Sequence, residues 1–167
     1  MRALSYVCVM VFLQGLFVSS VEGQDCEVTN DALVAMTKSE VSVTKKNGEI
    51  HTFVVKTAEN NHTRAAGFQR VCAETIASEP ILFVFERVFV PSFHMNNVVA
   101  PIDIAFIDEH GRIESIQAMQ PYVLISRHKP LYSPETPVNA ALEARPGFYS
   151  DHGIEVGALV VWEDASE

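Results

Sequence analysis

Two acidic residues, Asp103 and Glu143, each stand inside an apolar run that is typical of a β-strand. An unpaired charge in apolar surroundings is costly, so each carboxylate needs a partner or a path to water. Arg64 and Arg70 are the expected counter-charges. One interpretation is a pocket whose two carboxylates perform general acid/base work or bind sugar hydroxyls. The preferred interpretation is a buried network of ion pairs and hydrogen bonds that stabilises the fold.

A second group of polar residues lies upstream of Asp103. His94 and Met95 are adjacent, so on a strand they point to opposite faces and cannot easily bind one ion together. A copper site would need a further ligand such as His110 or His128. We therefore predict no metal site and expect His94 to be a hydrogen-bonded histidine at a pocket rim. Asn97 is expected to satisfy backbone groups at a turn, with a ligand role as the second interpretation. The candidate ligand-binding residues are Arg64, Arg70, His94, Asn97, Asp103 and Glu143, and the candidates for catalysis are Asp103 and Glu143.

Several common chemistries have no support in the sequence. It contains no G-x-S-x-G elbow, no phosphate-binding loop, no GxGxxG and no HExxH motif, so no cofactor is predicted. Scattered aromatic residues could line a sugar-binding face, although such residues more often anchor cores or loops. These residues are Phe89, Phe93, Tyr122, Tyr132 and Tyr149.

The first 23 residues resemble a secretory signal peptide. Arg2 is followed by an apolar segment over residues 7–18, and Gly23 ends a small-residue cleavage pattern. The apolar segment is shorter than the roughly 20 residues of a membrane-spanning helix, so a retained anchor is the less favoured alternative. After cleavage we expect no stable membrane insertion. The formal charge of −9 and the absence of a basic run argue against nucleic acid as a partner.

Two cysteines, Cys26 and Cys72, remain after the predicted cleavage. In an oxidising compartment a disulfide is the natural interpretation, and a metal pair without CxxC spacing is the weaker one. The expected location is periplasmic or secreted. The predicted organisation is a signal peptide at 1–23, an extended lead at 24–40 and a single β domain at 41–167.

The pattern along the chain is typical of an all-β protein with one or two short helices. Asn47-Gly48 between two apolar runs predicts a β-hairpin. Strands are predicted at 41–44, 50–56, 81–85, 92–96, 102–107, 112–119, 139–144 and 158–162, and helical turns at 63–70 and 148–152. Many short strands separated by turn residues indicate a compact β-sandwich or a partly open β-barrel.

Six segments of the chain form a recognisable series. They are 64–70 (RAAGFQR), 81–85 (ILFVF), 93–104 (FHMNNVVAPIDI), 106–111 (FIDEHG), 141–147 (ALEARPG) and 153–157 (GIEVG). In this order they resemble the DUF192 family, a set of small, mostly bacterial and often exported proteins. The resemblance covers about residues 53–162 and implies a compact β-sandwich or barrel. The chain departs from it at His94, Asn96 and Ala158, where the family commonly has tryptophan, lysine and aspartate.

Three functions remain open from the sequence. The first is a non-enzymatic binding or accessory module of the cell envelope, whose ligand is a small molecule such as a carbohydrate. The second is a small hydrolase that uses Asp103 and Glu143 as an acid/base pair. The third is a structural or interaction protein that presents the loop at 120–137 to a partner.

Overall fold

The strands form a single sheet that curls until its two end strands approach each other. The computed structural model describes residues 26–122 and 127–163. The strands are β1 Thr37–Thr44, β2 Ile50–Ala58, β3 Ile81–Phe89, β4 Ile102–Ile107, β5 Ile113–Met119, β6 Val138–Ala144 and β7 Leu159–Trp162, and the helices are α1 Asp31–Ala35, α2 Asn61–Ala66, α3 Ala73–Ser78 and α4 Phe148–Asp151. The strand order is β5-β4-β6-β3-β2-β1-β7. An isolated antiparallel bridge between Arg112 and Leu159 links the two ends. The prediction of a partly open β-barrel is therefore confirmed.

The predicted hairpin joins β1 to β2. Thr44 pairs with Ile50, and Gly48 adopts φ +84° in the turn between them. Glycine suits this turn because the left-handed region penalises side chains with a Cβ atom. β1 begins at Thr37 because its pairing with β2 extends to Thr57, further than the apolar pattern predicts. β2 and β3 are the one parallel pair within the described residues, and α2 and α3 lie in the connection between them.

The sheet has an apolar layer on each face. Because side chains alternate along a strand, neighbours such as Leu82 and Phe83 enter different layers. The layer enclosed by the curled sheet contains residues from all seven strands, for example Val41, Leu82 and Val160. The layer on the outer face contains Phe83 and is covered by residues of the helices and loops, for example Leu33, Ile76 and Met95. The central strands β3, β4 and β6 are therefore buried on both faces.

The helix α2 is positioned over the outer layer by its two ends. Asn60 accepts a hydrogen bond from the Thr63 backbone N–H, and the Thr63 hydroxyl accepts one from the Asn60 N–H, which forms a capping box. Gly67 ends the helix at φ +48° and ψ −133°, a conformation that is essentially restricted to glycine. A Cβ atom at this position would lie 3.4 Å from the ring of Phe83 and 3.8 Å from the carboxyl of Glu143. These are ordinary van der Waals distances, so the backbone conformation and not lack of space is what requires glycine here.

The disulfide prediction is confirmed, since Cys26 and Cys72 are bonded across 46 residues of sequence. The bond is accompanied by a short parallel bridge between Glu27 and Val71. Together they attach the N-terminal segment beside α3. The predicted signal peptide at 1–23 lies outside the described residues. No helix in the ranges 26–122 and 127–163 is long and apolar enough to cross a membrane.

Several element predictions differ from the structure. The lead at 24–40 is not uniformly extended, because it contains α1 and the start of β1. The described residues contain four short helices instead of one or two, and α3 was not predicted. Residues 92–96 do not form a strand. Phe93 makes an isolated bridge to Tyr132, and the chain turns at Asn97 with φ +56°. The apolar pattern there reflects burial of individual side chains under a loop.

Candidate functional site

A cavity of about 330 Å³ lies between the outer face of the sheet and the helix α2. Its walls come from α2, β3, β6 and the segment that follows β3. Five phenylalanines line it, and these are Phe68, Phe83, Phe85, Phe89 and Phe93. We refer to it below as the aromatic cavity. Its size falls at the lower end of the range of small-molecule sites, which begins at about 300 Å³.

The phenylalanines reach the cavity for reasons that are visible in the strand pattern. Phe83 and Phe85 are two residues apart on β3, so they face the same side of the sheet. The pairing of β3 with β6 is shifted between Val84 and Phe89, and Phe89 follows that irregularity. Phe83 packs edge-to-face on Phe93 at 5.2 Å between ring centroids, and Phe85 packs in the same way on Phe89 at 5.0 Å. The wall of the cavity therefore contains two edge-to-face pairs of rings.

Glu143 is the carboxyl group of this cavity. It lies on β6 opposite Ile81 of β3 and Ile104 of β4, both of which are fully buried. The residue is only 5% exposed, and its side chain lines the aromatic cavity. No ion pair or side-chain hydrogen bond to its carboxyl occurs within the described part of the chain. Burial raises the pKa of Glu143 from its usual 4.5 to about 8, so the group is mostly protonated at neutral pH.

Arg64 also lines the cavity, but its guanidinium is bound by neighbouring residues. Its guanidinium donates hydrogen bonds to the carbonyls of Glu59 and Val84 at 2.6 and 2.9 Å. It also donates to the side chain of Asn61 at 3.0 Å and pairs with Glu86 at 3.3 Å. Four acceptors from α2, its approach and β3 therefore hold Arg64 in place. This arginine ties the helix to the strand and does not act as the counter-charge of Glu143.

Asp103 is on the other face of the sheet. In the antiparallel pairing of β4 with β6, Asp103 lies opposite Ala144 while Ile104 lies opposite Glu143. Opposite partners share a face, so Asp103 and Glu143 point in opposite directions. Asp103 accepts a hydrogen bond from the backbone N–H of Gly147 at 2.7 Å. The sequence-based idea of an Asp103/Glu143 acid/base pair is therefore wrong in its geometry.

The predicted arginine network is also wrong. Arg64 is paired with Glu86, and Arg70 has no ion pair among the residues that the structure describes. Arg70 adopts φ +61° and its backbone N–H donates to the carbonyl of Asn97 at 2.7 Å. Arg70 therefore contacts Asn97 through the main chain, and its guanidinium does not pair with Asp103 or Glu143.

The remaining candidates divide between the cavity and its surroundings. His94 lines the rim, and its Nδ1 accepts a hydrogen bond from the Asn96 N–H at 3.4 Å. Asn97 lies beside the cavity in a left-handed turn and donates to the side chain of Gln69 at 3.4 Å. Arg64, His94 and Glu143 are therefore brought together at one cavity. Arg70 and Asn97 support its edge, and Asp103 is elsewhere.

Sequence reasoning missed most of the aromatic wall. Phe89 and Phe93 were singled out as aromatic candidates, whereas Phe83 and Phe85 were assigned only to a core strand. Their alternation with Val84 was the available signal, because it places two rings on one face. The tyrosines considered with them are not part of the lining. Tyr149, for example, is buried in the inner layer, where its hydroxyl donates to the carbonyl of Leu142.

Comparison with known proteins identifies the family. The DUF192 family, described as an uncharacterized ACR, matches residues 42–162. The chain belongs to the DUF192 family. The match includes every residue of the aromatic cavity and both strands that carry Asp103 and Glu143. Among curated proteins, none is significantly similar to the chain.

Two solved structures share the fold of this chain. One is a protein from Sinorhizobium meliloti 1021 described as a "putative transcription regulator", with a TM-score of 0.64 and 24% identity. The similarity covers 76% of this chain and 95% of that one. Another is a protein of unknown function from Novosphingobium aromaticivorans DSM 12444, with a TM-score of 0.60 and 23% identity over 80% of this chain and 99% of that one. At these identities the likeness establishes the fold alone.

Proposed function

We propose that this DUF192 protein is a binding module that takes a small molecule into the aromatic cavity without transforming it. The observation that carries the proposal is Glu143, a buried carboxyl that lines an otherwise largely aromatic cavity and has no partner within the described residues. Its carboxyl opens into the cavity, where a bound ligand can supply the hydrogen bond that the described residues do not.

The cavity favours binding over hydrolysis because it offers one carboxyl group. Glycoside hydrolysis by the common mechanism needs two carboxyl groups about 5–10 Å apart on either side of the scissile bond. Asp103 faces away from the cavity, and no second acidic residue lines the cavity in the described ranges. Glu143 alone could donate a proton, but it has no second carboxyl group there to act with.

We further propose that the protein works outside the cytoplasm. The Cys26–Cys72 disulfide supports an oxidising compartment, because such bonds rarely persist in reducing cytosol. The predicted signal peptide is consistent with that location. The ligand would then be a component of the cell envelope or a small molecule that reaches it.

Ligand binding in the aromatic cavity can be tested with two matched alanine substitutions. Ala65 and Ala77 are both exposed residues of short helices, but only Ala65 lines the cavity. Small molecules, including neutral sugars, other ring compounds and organic cations, would be screened by amide chemical shifts with Gly67 and Glu143 as reporters. We expect a compound that shifts these amides to lose affinity at least tenfold in Ala65→Trp and to bind Ala77→Trp normally. Equal binding to both variants, or no compound that shifts these amides, would contradict the proposal.

A further inference from the structure

Among the described residues, the lining of the aromatic cavity contains an acidic group, Glu143, but no cationic side chain that is free to pair with it. Its lining carries one acidic group, Glu143, and the arginine of its wall, Arg64, is already bound by four acceptors that include Glu86. A ligand carboxylate or phosphate would meet a buried carboxyl with no free cation beside it. An anionic ligand is therefore disfavoured, because it would find no free positive charge among the lining residues that the structure describes and would be repelled whenever Glu143 is ionised.

The wall of the cavity is suited to a positive charge. Aromatic faces carry partial negative charge and attract ammonium groups, and cages of aromatic rings bind quaternary ammonium ligands. Phe89 already has the guanidinium of Arg87 at 5.9 Å from its ring centroid. One ring of this wall therefore interacts with a cation in the protein itself.

We propose that the ligand is an organic cation, an alkylammonium or quaternary ammonium group that packs against the phenylalanines and pairs its charge with the Glu143 carboxylate. This inference rests on the proposed binding function and names its ligand class. The cation would satisfy Glu143 and the aromatic faces together. A neutral ligand would use Glu143 only as a protonated hydrogen-bond donor.

The two ligand classes differ in the sign of their pH dependence. A cation needs the carboxylate, so its affinity rises with pH until Glu143 is ionised in the free protein, near pH 8. A neutral acceptor needs the proton, so its affinity falls above that pH. The other groups that face the cavity are Arg64 and His94, while Tyr149 interacts with Glu143 from the inner layer. A His94→Gln variant removes the titration of the rim histidine from the comparison.

The experiment compares choline with 3,3-dimethyl-1-butanol, which has the same shape but carries no charge. Dissociation constants would be measured by amide shifts at pH 6, 7 and 8 in the wild type, Glu143→Gln, Phe89→Leu and His94→Gln. We expect choline to bind more tightly than the alcohol and to gain about tenfold in affinity between pH 6 and 7. Glu143→Gln should bind choline at least tenfold more weakly than the wild type does, while its affinity for the alcohol should be unchanged. Phe89→Leu, a change at a partly exposed ring, should weaken choline selectively.

Each other result is decisive. If the alcohol binds as well as choline, the ligand class is neutral and this inference fails while the binding function stands. The inference also fails, and the binding function also stands, if choline does not bind but a neutral ring compound binds and loses affinity in Ala65→Trp. If no compound of any class binds, both proposals fail. Binding of choline but not of phosphatidylcholine vesicles would support the inference and assign a soluble cation, whereas binding of both would support it and assign a lipid headgroup.

Discussion

Replacing Glu143 by glutamine should change how the stability of the protein depends on pH. In the unfolded chain the carboxyl titrates near its usual pKa of 4.5, whereas in the folded protein its pKa is about 8. The folded state therefore keeps a proton that the unfolded state releases. The contribution of the protonated Glu143 carboxyl to the stability of the folded protein is fully present below pH 4.5 and is lost as the pH rises through 8. Glutamine resembles the protonated carboxyl and cannot ionise.

The magnitude follows from the interval between the two pKa values. Each pH unit in that interval lowers the free energy of unfolding by about 1.4 kcal/mol, so the full loss reaches an upper limit of about 5 kcal/mol. We expect Glu143→Gln and wild type to agree within about 1 kcal/mol at pH 5. At pH 8 the variant should be more stable by several kcal/mol, so that removing a cavity carboxyl increases stability.

Urea unfolding at pH 5, 6, 7 and 8, followed by the fluorescence of Trp162, the single tryptophan, would measure this difference. Glu40→Gln is a suitable control, since Glu40 is an exposed residue of β1. Its stability profile should run parallel to that of the wild type. The reasoning would be refuted if the difference between Glu143→Gln and wild type were the same at every pH.

Three further changes test the architecture around the site by the same urea assay. Gly67→Ala should lose about 1–3 kcal/mol from backbone strain at a glycine-only conformation, more than Gly48→Ala in an open turn, and equal losses would contradict the strain argument. Replacing Cys26 and Cys72 by alanine should cost about 4 kcal/mol for a 46-residue separation, and an unchanged urea midpoint would show that the bond contributes nothing. Asp103→Ala should cost about 1 kcal/mol because it removes the acceptor of a partly buried backbone N–H, whereas Asp103→Asn, which can still accept that bond, should cost less.

The sequence by itself determined the local structure and the family. Strand positions followed from apolar runs and turn residues, and the hairpin followed from Asn47-Gly48, because these are preferences of neighbouring residues. The pairing of Cys26 with Cys72 could be predicted since only two cysteines remained after the expected cleavage. His94 could be placed near a pocket and Asn97 at a turn. The pattern wrongly predicted a strand at 92–96, because Met95 is buried and Phe93 half-buried by contacts distant in sequence.

Only the tertiary structure decided which polar groups share a site. Asp103 and Glu143 look equivalent in sequence, yet the register of β4 with β6 sends them to opposite faces, and a shift of one residue would have reversed this. Arg64 looks like a counter-charge, yet the approach of α2 to β3 gives it four nearer acceptors. Register and packing are set by the whole set of long-range contacts. For that reason the isolated carboxyl at the floor of the aromatic cavity became visible only in the folded chain.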